Sequence, residues 1–315
     1  MTKVIIPFAH SLSDDDTSYW LNSLNAAIPE IDIREISKLT DAERAAAEVA
    51  LVANPNPATL KTLPRLKWVQ SLWAGVEGLL EAMPDSTVEI VRLTDPQLAD
   101  TMAEAVLAWT LYLHRDMPRY AAQQKHAIWQ QHELTTAARR RVSVLGLGQL
   151  GQVAAVRLAT NGFSVCGWSR SPKYLKSVQT FSGADEMTSL LSDTDILVIL
   201  LPSTPSTRGL LNGSVLDCLP YGAQIINFSR ADILDTEALV DRLENGRISH
   251  AVLDVFEQEP LAPDDLLWQR SNVTVLPHIS APTNRGTAAA IISANLRGWL
   301  ANGTIPTSIS RYLGY

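Results

Sequence analysis

Short runs of apolar, mostly β-branched residues recur along the chain, and between them apolar positions fall three or four residues apart. The first pattern predicts buried strands, and the second predicts helices with one covered face. Over the first hundred residues the strand-like runs are Lys3 to Ile6, Ile31 to Ile36, Val49 to Ala53, Lys67 to Leu72 and Glu89 to Leu93. Ser13 and Asp14 are suited to open a helix carrying Trp20, Leu21 and Leu24, and Thr40 with Asp41 to open another. From Thr101 to about Gln131, the spacing of Met102, Val106, Trp109, Leu113 and Met117 predicts a bridging helix, kinked or broken at Pro118. Its apolar stripe reads as core or subunit interface. Six further runs alternate with helices: Arg141 to Leu145, Ser164 to Trp168, Ile196 to Leu201, Gln224 to Phe228, His250 to Leu253 and Val273 to Leu276. The helix Thr236 to Asn245 starts on Asp235 and stops at Gly246. A last helix, Thr287 to Ala301, follows the completed second set of strands and is expected to return to the first domain. Strand and helix alternating in this way specify an α/β chain of two doubly wound parallel-sheet domains, residues 1–100 plus 285–315 and residues 101–284.

The most informative stretch joins a buried strand to a helix through Gly146, Gly148 and Gly151, a G-x-G-x-x-G pattern. Alone the pattern also serves ordinary turns. Here a strand precedes it, a helix from Gln149 to Asn161 follows, and a second strand comes after Asn161-Gly162, so it reads as the phosphate cradle of a Rossmann-like dinucleotide domain. Gly146 permits the sharp turn, Gly148 lets the backbone approach a pyrophosphate, and Gly151 lets helix and strand pack closely. The helix N-terminus at Gln149 and Leu150 then offers free N–H groups to the anion.

Composition narrows the class. The chain has 315 residues, of which 46% are hydrophobic, enough for two cores. A net charge of −7 argues against general attraction to nucleic acid or anionic membranes, so any basic site must be local. Cys166 and Cys218 stand alone, with no metal or disulfide spacing, and read as small apolar residues in a reducing interior. No leader precedes the first run, and no apolar stretch approaches the roughly 18 residues of a membrane span, so a soluble cytoplasmic protein is expected.

Three polar residues fall just past three of the strand-like runs: Arg230, Glu259 and His278. Strands ending along one sheet edge would direct all three to one crevice. Together they suffice for reducing a 2-keto acid: Arg230 to grip the carboxylate in two-pronged fashion, His278 to protonate the carbonyl oxygen, and Glu259 to favour the imidazolium. Hydride must then come from a cofactor. The loops Asn54-Pro55-Asn56-Pro57 and Ala74-Gly75 each follow an apolar run and are candidate substrate contacts.

With these residues in place, the chain resembles the D-isomer specific 2-hydroxyacid dehydrogenases, and within them the glyoxylate/hydroxypyruvate reductase type. The resemblance runs through Gly75-Val76-Glu77, Val144 to Gly151, Cys166 to Arg170, Leu200 to Pro205, Asn227 to Arg230, Leu253 to Leu261, Leu267-Trp268, Pro277-His278-Ile279 and Gly314-Tyr315. It implies an NAD(P)-binding domain inserted into a flavodoxin-like substrate domain, and Arg230 as substrate binder. It also implies Glu259 and His278 as the acid/base pair, Asp254 on the nicotinamide carboxamide, and Leu201 and Pro202 beside the cofactor. Trp73 lies in a loop that lines the family's pocket, where core packing is an equal reading, and the backbone N–H groups around Ala74 and Gly75 are implied to receive the substrate carboxylate. A homodimer joined through the cofactor domain is implied as well. The chain departs from the family at Ala231, where glycine follows the catalytic arginine, and from Ser280 to Arg285.

Cofactor choice is read from the end of the second strand of that domain. An NAD-selective site places a carboxylate there for the ribose 2'-OH. This chain has Ser169, followed by Arg170, Ser171 and Lys173, which suit an adenosine 2'-phosphate. The expectation is therefore NADPH, with NADH as a weaker alternative, a small 2-keto acid as substrate and no metal. Alternatives from other directions are a dinucleotide-sensing corepressor-like interaction protein and a 2-hydroxyacid dehydrogenase acting on another substrate.

Overall fold

The structure, a computed structural model, describes residues 3–314. The chain divides into two compact units, one running through Gln97 and resuming at Thr283, the other spanning Leu98–Pro282. In the first unit, β1 (Val4–His10), β2 (Ile31–Glu35), β3 (Val49–Ala53), β4 (Trp68–Ser71) and β5 (Glu89–Val91) form a parallel sheet in the order β2-β1-β3-β4-β5. That order is the flavodoxin-like form of the doubly wound sheet. Every residue of β3 is buried, as a continuous apolar run covered on both faces should be. The sequence pattern ends the first strand near Pro7, yet β1 continues to His10, because β3 pairs with it from Phe8 onward.

Ser13 caps the Asp14–Ala27 helix by accepting from the Asp16 N–H. Trp20 and Leu24 on that helix are buried against Ala288, Ile292 and Leu296 of the final helix, Arg285–Asn302, so the end of the chain does rejoin the first unit.

In the second unit β6 (Arg141–Leu145), β7 (Ser164–Ser169), β8 (Gln179–Ser182), β9 (Ile196–Ile199), β10 (Ala223–Asn227), β11 (Ile248–Leu253) and β12 (Val273–Val275) are all parallel. Their order is β12-β11-β10-β9-β6-β7-β8, so the winding reverses between β6 and β9. This is the Rossmann arrangement, with its crevice at that reversal. Successive strand residues serve opposite cores: Ile196 and Val198 join one, Leu197 and Ile199 the other. The sequence pattern has no run at β8, since Gln179–Ser182 is a partly exposed edge strand without an apolar signal. The expected long bridge is two helices, Pro96–His114 and Met117–Lys125. Asp116, in left-handed backbone at φ 53°, separates them, and Pro118 sits in the first turn of the second helix, where its missing N–H costs nothing.

His250 on β11 is buried, its Nε2 2.9 Å from Thr274 Oγ1 on β12. Burial disfavours the imidazolium and pushes its pKa from 6.5 down to about 4. Between those values the unfolded chain binds more protons than the folded one. Stability is therefore full above pH 6.5 and falls as pH drops toward 4, by up to about 3 kcal/mol at roughly 1.4 kcal/mol per unit. Urea unfolding of wild type and His250→Gln at pH 7 and pH 5 tests this. The variant should lose clearly less stability on acidification, and equal losses would remove His250 as a source of acid sensitivity.

Candidate active site

The register of the second sheet builds the site. Trp168, Leu145, Ile199, Asn227, Leu253 and Val275 are successive partners across β7, β6, β9, β10, β11 and β12. The strands thus end in one row, and the residues just past them rise from a single carboxyl edge.

At β6 that residue is Gly146, with φ 103°, where a Cβ would meet Leu200 O at 2.5 Å. A Cβ on Gly151 would fall 1.7 Å from Gly146 O, so the helix packs directly against the turn. Around Gly148, by contrast, a Cβ would meet nothing within 4 Å. The chain itself does not fill the space there, which is what a glycine kept for the close approach of an anion requires. The Gln149–Thr160 helix begins with no side-chain cap, Gly148 and Gln149 are exposed and Leu150 is half-buried, so its N-terminus can serve a pyrophosphate. The residues present fit a dinucleotide.

Past β7, Ser169 is buried while Arg170, Ser171 and Lys173 are exposed. The Ser169 hydroxyl donates to Ser171 O at 2.7 Å and shapes the turn. The exposed Arg170, Ser171 and Lys173 place two cations and a hydroxyl on this loop. Past β9, Leu201 is buried and Pro202 half-buried, and Leu200 N–H donates to Leu145 O, tying that loop to β6.

Past β10, Asn227 organises the turn to Arg230, a role not read from the sequence. Its Oδ1 accepts from the Ser229 N–H at 3.2 Å and hydroxyl at 2.9 Å, and its Nδ2 donates to Arg230 O at 3.2 Å. The only sequence signal was an asparagine ending an apolar strand just before an arginine. Arg230 Nη1 donates to Ser229 O at 2.7 Å. Ala231, where the family has glycine, lies in a right-handed turn (Ala231–Ile233) that any residue adopts, so this departure carries no strain.

Past β11 and β12 the pair is formed. His278 Nδ1 and Glu259 Oε2 are 2.7 Å apart, while Glu259 Oε1 accepts from the Phe256 N–H at 3.0 Å. An ionised carboxylate can only accept, so the ring donates from Nδ1 in this contact, which leaves Nε2 for another partner. His278 has φ 54°, a left-handed backbone that costs a residue with a Cβ about 1–2 kcal/mol. The buried Asp254 carboxylate offsets this by accepting from the next two backbone N–H groups, Ile279 at 2.8 Å and Ser280 at 2.9 Å. Two of its four lone-pair sites remain for other donors.

The remaining expected residues belong to the first unit. Trp73, Ala74 and Gly75 follow β4 in a half-buried bend, with Trp73 N–H donating to Ser71 Oγ. The Trp73 indole stands edge-on to Trp20, 5.9 Å between centroids, and packs on the core. Asn54, directly after β3, has left-handed φ 48°. Among the described residues no group of His, Cys, Asp and Glu could hold a metal, and no helix is long and apolar enough to cross a membrane.

Residues 107–280 match the model of the D-isomer specific 2-hydroxyacid dehydrogenase NAD-binding domain. The chain is 35% identical to glyoxylate/hydroxypyruvate reductase A of Serratia proteamaculans over 302 residues, 94% of this chain and 96% of that one. A D-isomer specific 2-hydroxyacid dehydrogenase from Xanthobacter autotrophicus Py2, crystallised with NADPH and MES, superposes with TM-score 0.92 at 37% identity over the whole of both chains. The NADPH-dependent glyoxylate/hydroxypyruvate reductase of Sinorhizobium meliloti, crystallised with NADP and sulfate, gives 0.91 at 29% identity, covering 99% of this chain and 100% of that one. The chain therefore belongs to the D-isomer specific 2-hydroxyacid dehydrogenase family and is an NAD(P)-dependent oxidoreductase.

Proposed function

We propose that the protein reduces glyoxylate, hydroxypyruvate or a similar small 2-keto acid to the D-2-hydroxy acid, with NADPH as its cofactor. The observation that carries this reading is the 2.7 Å contact between His278 and Glu259 on the carboxyl edge that also presents Arg230. NADPH, when bound, supplies the hydride. Arg230 binds the substrate carboxylate through its planar fork and polarises the neighbouring carbonyl. His278 delivers a proton from Nε2 to the carbonyl oxygen as charge develops there, and the Glu259 carboxylate stabilises the imidazolium from the other side of the ring. The free lone pairs of Asp254 suit the carboxamide N–H₂ of a nicotinamide.

The preference for NADPH rests on the exposed Arg170, Ser171 and Lys173 where an NAD-selective site has a carboxylate, and it agrees with the relatives crystallised with NADPH or NADP. A panel of 2-keto acids assayed with NADPH and with NADH, on wild type and Arg170→Ala, tests both parts. Wild type should favour NADPH and form D-glycerate from hydroxypyruvate. Arg170→Ala should weaken NADPH about tenfold or more, as expected for a lost bond to a charged group, and leave NADH within about twofold. A wild-type preference for NADH, or equal weakening of both, would overturn the cofactor assignment. Absence of turnover on every 2-keto acid would overturn the reaction.

A homodimer joined through the cofactor unit is part of the same proposal. Its support is an uncovered apolar segment after Lys125, in which Trp129 is 97%, Leu134 60% and Ile128 51% exposed. Light scattering should give about twice the 34.4 kDa chain mass, falling toward the monomer in Trp129→Ser/Leu134→Ser. A monomeric wild type at micromolar concentration would contradict it.

A further inference from the structure

We propose that Asp232 is a positioning residue for Arg230, a clamp that fixes the substrate-binding turn to the neighbouring strand-end loop. The inference rests on Arg230 being the carboxylate grip. Arg230 is flanked by two side-chain anchors. Upstream, Asn227 holds its carbonyl. Downstream, the turn continues directly into Asp232, whose Oδ2 accepts from Ser203 Oγ at 2.5 Å and from Arg208 Nε at 3.0 Å. Arg208 Nε also lies 3.3 Å from Ser203 Oγ, closing a three-membered set around one oxygen.

Ser203 and Arg208 belong to the loop after β9, the strand next to β10 in the sheet. That loop carries Leu201 and Pro202, the expected cofactor neighbours. Asp232 thus joins the segment assigned to the cofactor to the segment assigned to the substrate, two residues from the guanidinium that must hold its place. Backbone bonds already zip the two segments together: Gly209 N–H to Asp232 O at 2.7 Å, Leu211 N–H to Ile233 O at 3.0 Å and Asp235 N–H to Leu211 O at 3.1 Å. The carboxylate is therefore not needed to join them. What it adds is a fixed distance at the end nearest Arg230, where a displacement of about 1 Å can cost as much as a hundredfold in rate.

The clamp is tested with Asp232→Asn, Ser203→Ala and Arg230→Lys, comparing kcat/KM for glyoxylate with that for glyoxal, which keeps the reacting aldehyde and lacks the carboxylate, alongside the Kd for NADPH. If Asp232 acts through Arg230, Asp232→Asn should raise KM for glyoxylate about fivefold to tenfold and Ser203→Ala about threefold. Both should leave the Kd for NADPH within about twofold and lower kcat/KM for glyoxal, which Arg230 meets only through the carbonyl, clearly less than for glyoxylate, and Asp232→Asn should add little to Arg230→Lys in the double variant. A purely electrostatic role predicts the opposite sign, since removing the negative charge would draw the anionic substrate more strongly, and would leave Ser203→Ala silent. Either of those results overturns the clamp, as does an equal loss on glyoxal, which marks general destabilisation. If Arg230→Lys raises KM and Asp232→Asn does not, the clamp alone falls. If Arg230→Lys leaves KM unchanged, the assignment of Arg230 falls and the clamp falls with it.

Discussion

Parallel strands paired without slippage at their carboxyl ends are the constraint on which the cofactor unit depends. Because Trp168, Leu145, Ile199, Asn227, Leu253 and Val275 share one row, the glycine turn, the Arg170 loop, the Arg230 turn, Asp254 and the His278 loop all leave from the same edge. The row is held by burial. Alternate residues of β9, β10 and β11 belong to the two opposite cores, so a one-residue slip of any of them would move its apolar side chains to the wrong faces and shift one functional loop against its neighbours. Chemistry spread from residue 146 to residue 278 is assembled by packing that takes no part in it.

At the end of that row the sheet gives way to conformations that need local support. His278 sits in left-handed backbone, and it is held from both sides: Glu259 fixes the ring through Nδ1, and Asp254 fixes the backbone that follows. Asp254 therefore has a structural task in the protein itself, independent of any cofactor contact. Asn227 does comparable work for Arg230. In both cases a side chain at or just past a strand end turns an exposed loop into a fixed mount for a charged group, which limits the entropy lost when a ligand binds.

The α/β class, the parallel strands and the glycine turn after β6 were legible because their signals are local. A buried parallel strand is a continuous apolar run, and a phosphate turn needs glycines at set spacing. Arg230, Glu259 and His278 stood out because each follows such a run. β8 was not legible, since an exposed edge strand has no apolar run to read. The break in the bridging helix was legible from Pro118, but its placement at Asp116 was not, because proline suits the first turn of the second helix and only the backbone angle shows where the first one ends. The bond of the Ser169 hydroxyl within its own turn was not legible, since its acceptor is a backbone carbonyl and not a side chain. Asp232 carried no signal, since its partners Ser203 and Arg208 come from another loop and meet it only in three dimensions.

In the proposed reaction the row delivers a proton-donating imidazole at His278, oriented by Glu259, to a substrate carbonyl. Single-turnover reduction of glyoxylate by the preformed NADPH complex of His278→Ala, with the NADPH Kd measured by fluorescence on the same protein, tests it most directly. The rate should fall by about 10² or more, the scale of lost general acid catalysis, with NADPH affinity unchanged. A variant that turns over at the wild-type rate would contradict it.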